Sequence, residues 1–407
     1  MTKFALLLFA SLLGAAPPAY DPAMKPAVVH SPPGVEYTIG WPMFQGIPTI
    51  ERAPKGRLWA AWYAGGPGEG PLNYVVLVTS ADDGRNWSEP KLVVDIPDWG
   101  RAFDPCLWLD PRGKLWLFWS QSLVHWDGRG GVWFMTTSNP DAESPKWSRP
   151  RRLADGVMMN KPAVLKSGRW LFPVAMWPYA ADAERINLEQ KLGLSPAAIK
   201  ALSFPLKDAG QSMVFASHDH GRSFRKLGYA VVPDVSHNEH MIVERRDGSL
   251  WMLVRTHYGI GQSFSTDQGR SWSEGTDTGY FHPSTRFFIG RLRSGNLLMV
   301  RHNPPPAPGG RRPRSHLAAY ISNDDGKTWS VPLMLDERNG VSYPDVTQAP
   351  DGRIFVIYDR NRTTDREILM ACFVEQDILE GRTSSATLRL RQVIARGAEP
   401  VTPGPRR

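Results

Sequence analysis

The sequence predicts an all-β fold, a six-bladed β-propeller with four-stranded antiparallel blades. Two repeats predict it. The first is a hairpin that occurs six times: a short apolar run, a tight turn, then a run rich in aromatic and β-branched residues. The turn glycines are Gly56, Gly113, Gly168, Gly248, Gly295 and Gly352, spaced 57, 55, 80, 47 and 57 residues apart. A strand-built repeat of this length is the sequence signature of one propeller blade per copy. The second repeat is a turn of the form Ser-x-Asp-x-Gly-x-(Ser/Thr/Asn)-aromatic. It occurs intact at Ser80–Trp87, Ser217–Phe224, Ser265–Trp272 and Ser322–Trp329, and in eroded form from Ser138 to Trp147. Its Asp can cap backbone N–H groups, its Gly takes the left-handed position, and its aromatic plugs the blade core.

Residues 1–19 read as a secretory signal peptide, with Lys3, an apolar core from Phe4 to Leu13 and small residues near Ala16 and Ala19. The propeller is expected over 27–395. Blade one covers about Trp41 to Val94 and blade two Phe103 to Arg152. Blade three runs from Met158 to Tyr229, blade four from His237 to Ser273, blade five from Phe281 to Leu335 and blade six from Val341 to Val374. The flanking runs Ala27–His30 and Thr387–Ala395 are candidates for the pairing that closes the ring. Residues 396–407 read as a flexible tail. Ala181–Lys207 reads as a short helical excursion, and the Pro-, Gly- and Arg-rich stretch Asn303–Arg314 as a loop.

The 407 residues carry a formal charge of +8, which favours anionic substrates by steering. The basic cluster Arg311–Arg314 and the basic tail are not interleaved with aromatics, so they read as solvated surface and not as a nucleic-acid site. No segment after the leader is apolar enough to span a bilayer, so no membrane association is expected once the leader is cleaved. Cys106 and Cys372 read as buried free thiols. No spacing of His, Cys and acidic residues suggests a structural zinc site, and no cofactor is expected.

Blade geometry places a site. The hairpin turns and Ser-Asp-Gly turns share one face, so the residues just before each inner strand converge around the channel on the other. These are Phe44-Gln45-Gly46, Arg101 to Asp104, Met159-Asn160-Lys161, His237 to His240, Pro283 to Arg286 and Ser342 to Asp345. A polar ring of this kind suits a carbohydrate.

The Ser-Asp-Gly turn resembles the Asp box (BNR repeat) of the sialidase superfamily, and the resemblance reaches single residues. Members carry a Tyr at the start of the last blade, activated by a Glu from an earlier one. Arginines grip the substrate carboxylate, and an acid sits on a loop of the first blade. SYPDV places Tyr343 at the Tyr position, NEHMIVE places Glu239 at the Glu position, and LWMLVRT places Arg255 where a family arginine falls. The family acid falls within AWYAGGPGEGPLNY, whose carboxylate is Glu69, with Asp104 as runner-up. One departure stands out. The family reads Phe-Arg-Ile-Pro near the start of blade one, with the Arg on the substrate carboxylate, and this chain reads Phe44-Gln45-Gly46-Ile47-Pro48. Arg101 and Arg286 are the candidates to restore a clamp. With Arg255, Asp104, Asn160, Lys161 and His240 they complete the expected binding set.

The resemblance implies an exo-acting glycosidase that retains configuration through Tyr343 and Glu239, acting on a glycan or glycoconjugate. A neutral phenol is not repelled by an anionic sugar, whereas a carboxylate is. Two further readings stay open. One is a uronate- or rhamnose-directed glycosidase or lyase working through His240, His257 or His125. The other is a glycan-binding propeller without turnover.

Overall fold

A computed structural model describes residues 22–37, 43–97, 100–123, 126, 130–177, 208–305, 308–310, 312–382 and 384–397. The expected leader, the helical excursion at Ala181–Lys207, His125 and most of the expected tail lie outside these residues. Six antiparallel sheets are arranged as the blades of a propeller, and each is built from one contiguous stretch of chain. The innermost strands are Gln45–Arg52, Gly100–Leu109, Ala163–Val164, Val235–Glu244, Phe288–Arg291 and Val341–Gln348. Among the described residues, no helix is long and apolar enough to cross a membrane.

The ring closes differently from the expectation. Val28–His30 does not pair with the C-terminal run. It adds a fifth strand outside blade one, against Leu92–Asp95. The strand Arg389–Arg396 is the outer strand of blade six, beside Glu367–Val374. No blade is therefore shared between the two termini. Closure rests on packing between whole blades. Ile50, Ala60, Trp62 and Val76 of blade one share a core with Phe355, Ile357, Met370 and Cys372 of blade six. Burying so many large apolar groups stabilises by about 1.5–3 kcal/mol per side chain. Cys106 and Cys372 are both buried and free.

The Ser-Asp-Gly turns are built alike. In each, the Ser hydroxyl donates to the Asp and accepts from the Gly N–H, as in Ser322 to Asp324 at 2.8 Å and Gly326 to Ser322 at 2.8 Å. The Thr328 hydroxyl and N–H then bond Asp324 and pull it down to about 2. The glycine is also a contact. A Cβ on Gly221 would sit 2.3 Å from Trp116, and one on Gly326 2.4 Å from Trp251, each an aromatic of the preceding blade. The turns thus lock neighbouring blades and stand away from the chemistry.

The channel is filled by buried cations. Lys161 Nζ donates to the carbonyls of Ile50 at 2.7 Å and Leu107 at 2.6 Å, and lies 3.1 Å from Glu51 and 3.3 Å from Asp345. Asp345 is fully buried and also accepts from Thr49 Oγ1 at 2.7 Å and the Ile50 N–H at 3.0 Å. Blades one, two, three and six are tied at this point. Lys161→Met leaves Glu51 without its counter-charge, while Asp345 retains Arg286 at 3.5 Å, and breaking a largely buried pair in this way costs up to about 3–5 kcal/mol. A lower denaturant midpoint with an unchanged slope is the expected reading.

Candidate active site

Four inner strands make the same departure at their entry. In blade one Gly46 pairs with Tyr63 and Thr49 with Ala61, so three steps on one strand face two on the other. Blade two repeats this at Phe103 and Cys106, blade four at Asn238 and Met241, and blade six at Ser342 and Asp345. Each is a one-residue bulge. The residue after the first partner has positive φ: Ile47 at 56°, Asp104 at 48°, Glu239 at 40° and Tyr343 at 55°. Left-handed backbone costs an L-residue about 1–2 kcal/mol, and for β-branched Ile47 it is a true outlier. What it produces is convergence, since a bulge re-aims a side chain. All four residues line a single cavity of about 230 Å³.

Tyr343 and Glu239 meet there, though 104 residues separate them. The Tyr343 hydroxyl donates to Glu239 Oε1 at 2.9 Å. Arg255 Nη1 donates to the same oxygen at 2.6 Å and to the Tyr343 oxygen at 2.8 Å. All three are at most 7% exposed, so the contacts lie in a medium that screens them weakly. Burial pushes the Tyr343 hydroxyl above its ordinary value, with Arg255 opposing and Glu239 adding to the rise. The phenol is therefore neutral at rest, and losing its proton needs the adjacent base.

Two further arginines flank the phenol. Arg362 lies 4.2 Å and Arg314 5.6 Å from the Tyr343 ring centre. Arg362 comes from just beyond the second strand of blade six. Its Nε donates to buried Asp359 at 2.9 Å, its Nη2 to Ser342 Oγ at 3.2 Å and its Nη1 to Glu69 Oε1 at 2.8 Å. Gly46 makes room for it, because a Cβ there would stand 2.6 Å from Arg362 Cδ. The residue that interrupts the Phe-x-Ile-Pro run is thus the one that admits a guanidinium from the neighbouring sixth blade. Arg314 donates to the Ser284 carbonyl at 3.3 Å, and burial holds it below its ordinary value.

Arg101 and Asp104 also line the cavity, with Phe103, Met159, Trp177 and His237. The Arg101 guanidinium lies 4.1 Å from the Phe103 ring centre. Burial raises Asp104 to about 8, with nearby Glu239 and Glu69 pushing the same way and Arg101 opposing. This carboxyl keeps its proton at neutral pH.

Four expected binding residues lie elsewhere. Arg286 is 1% exposed and spends its guanidinium on Asn160 Oδ1 at 2.7 Å, the Met159 carbonyl at 3.0 Å and Asp345 at 3.5 Å. Asn160 donates to the carbonyls of Glu239 at 2.9 Å and His240 at 3.1 Å, so it fixes the bulge from below. His240 bonds the Met213 carbonyl at 2.8 Å, and burial lowers it to about 4. Lys161 is the channel cation already described. None of the four occupies the bulge position, and each spends its side chain on groups of another blade. Conversely, Arg314 was expected as solvated surface, and Arg362 was not singled out. Strand ends carry the signal that could have found Arg362. It lies three residues past Asp359, the blade-six counterpart of Arg255 across the bulge. Among the described residues, no group of three or more His, Cys, Asp or Glu side chains is arranged to hold a metal ion.

Residues 56–356 match the family model described as a BNR repeat-like domain. This is well over half of the chain, and the protein belongs to that family. Among solved structures it is similar to the NanB sialidase of Streptococcus pneumoniae, with 15% identity, a TM-score of 0.59, and 87% of this chain and 71% of that one covered. It is similar to the intramolecular trans-sialidase of Ruminococcus gnavus, with 16% identity, a TM-score of 0.54, and 83% and 95% covered. It is also similar to a protein of unknown function from Dyadobacter fermentans, with 18% identity, a TM-score of 0.58, and 84% and 96% covered. Likenesses at this identity concern the fold. No curated protein matches the sequence.

Proposed function

We propose that this protein is an exported, exo-acting glycoside hydrolase that removes a terminal anionic sugar with retention of anomeric configuration. The observation that carries the reading is the direct contact of Tyr343, Glu239 and Arg255 in a cavity flanked by two more arginines. In the first step the Tyr343 oxygen attacks the anomeric carbon and its proton passes to Glu239. The glycosidic carbon–oxygen bond breaks, and the leaving oxygen takes a proton from a carboxyl group. In the second step water attacks the anomeric carbon and the carbon–tyrosine bond breaks. The water proton goes to the carboxylate that first gave one, and Glu239 returns its proton to the phenolate. Arg255 donates to both oxygens of the pair and so stabilises the phenolate as it forms. Arg255, Arg314 and Arg362 hold the anionic group. Export rests on the leader-like segment 1–19.

Glu69 is the proton donor in this scheme, since it lines the cavity on a loop of blade one. Asp104 is the second reading, favoured by one observation: it stays protonated up to about 8, whereas Glu69 is paired with Arg362. The two separate by mutation. Loss of the true donor lowers turnover by about 10²–10⁴ on alkyl glycosides and far less on aryl glycosides, whose leaving groups need little help. If Asp104 is the donor, the alkaline limb of the rate profile near pH 8 vanishes in Asp104→Asn. The test of the whole reading is release of sugar from fluorogenic sialoside, glucuronide and galactoside substrates. Release from none, together with glycan retention, identifies a binding propeller.

A further inference from the structure

Arg362 has two carboxylate partners of opposite character. Asp359, on the inner side, is fully buried and is itself held by Ser342 Oγ and the Ile47 N–H, both at 2.7 Å. That pairing is permanent, because freeing Asp359 strands a buried charge. Glu69, on the outer side, has a side chain 40% exposed. It sits near the tip of a turn whose base is closed by buried Asn73, which bonds Gly65 O at 2.6 Å, Gly68 O at 3.0 Å and Gly70 N–H at 2.8 Å. The base is anchored, and the Glu69 side chain faces water at its tip. With one partner 40% exposed, this pair is held more weakly than the buried one with Asp359. A carboxylate arriving from solvent between Arg362, Arg255 and Arg314 meets three guanidinium groups in a partly dry pocket and gains more.

We propose that Glu69 is a built-in stand-in for the anionic group of the ligand: it rests on Arg362 in the free protein and is exchanged off it when an anionic sugar enters. The inference builds on the anionic-sugar reading above and adds a specificity device to it. A neutral sugar brings nothing that can replace Glu69 on Arg362, so the pair stays closed against it. An anionic sugar opens the pair and frees the Glu69 carboxyl beside the scissile bond in the same event. Gly46 is part of the device, because a side chain there would collide with Arg362.

The full chain is titrated calorimetrically with N-acetylneuraminate, glucuronate and galactose. An anionic sugar that binds the wild type is expected to bind Glu69→Gln about fivefold or more tightly, since one competing charge is gone. Arg362→Met is expected to lose about tenfold or more in affinity, and Glu69→Gln placed on that background to regain nothing. Gly46→Ala should weaken the anion through displacement of Arg362, with no change of charge. Galactose should not respond to Glu69→Gln. Equal or weaker binding of the anionic sugar by Glu69→Gln overturns the exchange while leaving the anionic-sugar reading intact. If neither anionic sugar binds the wild type or Glu69→Gln, the anionic-sugar reading itself falls and the exchange falls with it.

Discussion

Tyr343→Phe is expected to lower kcat/KM by about a hundredfold or more on any substrate the protein turns over, equivalent to about 2.7 kcal/mol in the barrier. The fold should not change. The substitution removes one hydroxyl, the ring keeps its place beside Arg362, and Glu239 keeps its 2.6 Å bond from Arg255. Glu239→Gln should match the kinetic loss, because the phenol then has no base. It should also cost a few kcal/mol of stability, because Arg255 becomes a buried cation without its counter-charge. The pair of outcomes is diagnostic: equal activity losses, unequal stability losses. A loss below about tenfold in Tyr343→Phe would remove the phenol from the role of nucleophile. Proton NMR of the first sugar released gives an independent check, since attack through tyrosine requires the starting anomer.

The second large effect is on acid stability. His240, His282 and His302 are at most 1% exposed, and each ring bonds a backbone carbonyl: Met213, Thr285 and Val341. Burial lowers His240 and His302 to about 4, and burial together with neighbouring His302 drives His282 well below its ordinary value. Below about 6.5 the unfolded chain therefore binds protons that the folded chain refuses, so stability falls as pH drops from 6.5 toward 4. At pH 5 this amounts to about 2 kcal/mol each for His240 and His302, and His282 adds in the same direction. Asp104 works in the opposite direction. Its folded value of about 8 lies above the unfolded one, so its contribution grows as pH falls from 8 toward 3.8. Between pH 7 and pH 5 it returns about 3 kcal/mol. The expected result over that interval is a net loss in wild type, and a loss about 3 kcal/mol larger in Asp104→Asn. Denaturant unfolding at the two pH values measures both. Equal stabilities at pH 7 and pH 5 in Asp104→Asn would show that the buried imidazoles do not titrate as described.

Much of the architecture was legible because propeller hairpins are local. A strand, a turn glycine and a second strand lie within about 17 residues, so Gly56 and its five counterparts mark the blades without any long-range information. The Ser-Asp-Gly turns are local in the same sense: the hydrogen bonds that the Asp324 carboxylate accepts come from within four residues. Tyr343, Glu239 and Arg255 were legible because each belongs to a short motif at a blade entry or strand end. The ring closure was not. Two terminal runs of strand-like composition do not say which edge they join, and here Val28–His30 took blade one and Arg389–Arg396 took blade six.

The cavity walls needed the fold for a different reason. Strand periodicity assigns alternate residues to opposite faces, and a one-residue bulge reverses that assignment locally. Composition therefore marked Arg286, Lys161, Asn160 and His240 as readily as Asp104 and Glu239, and only the bulges sorted them. Read by itself, the chain determined six blades, the turns that lock them and the phenol–carboxylate–guanidinium set. The tertiary structure decided which arginines flank that set. Arg362 and Glu69 are 293 residues apart and Gly46 lies on the opposite side of the ring seam, so their contact exists only where the first and last blades meet.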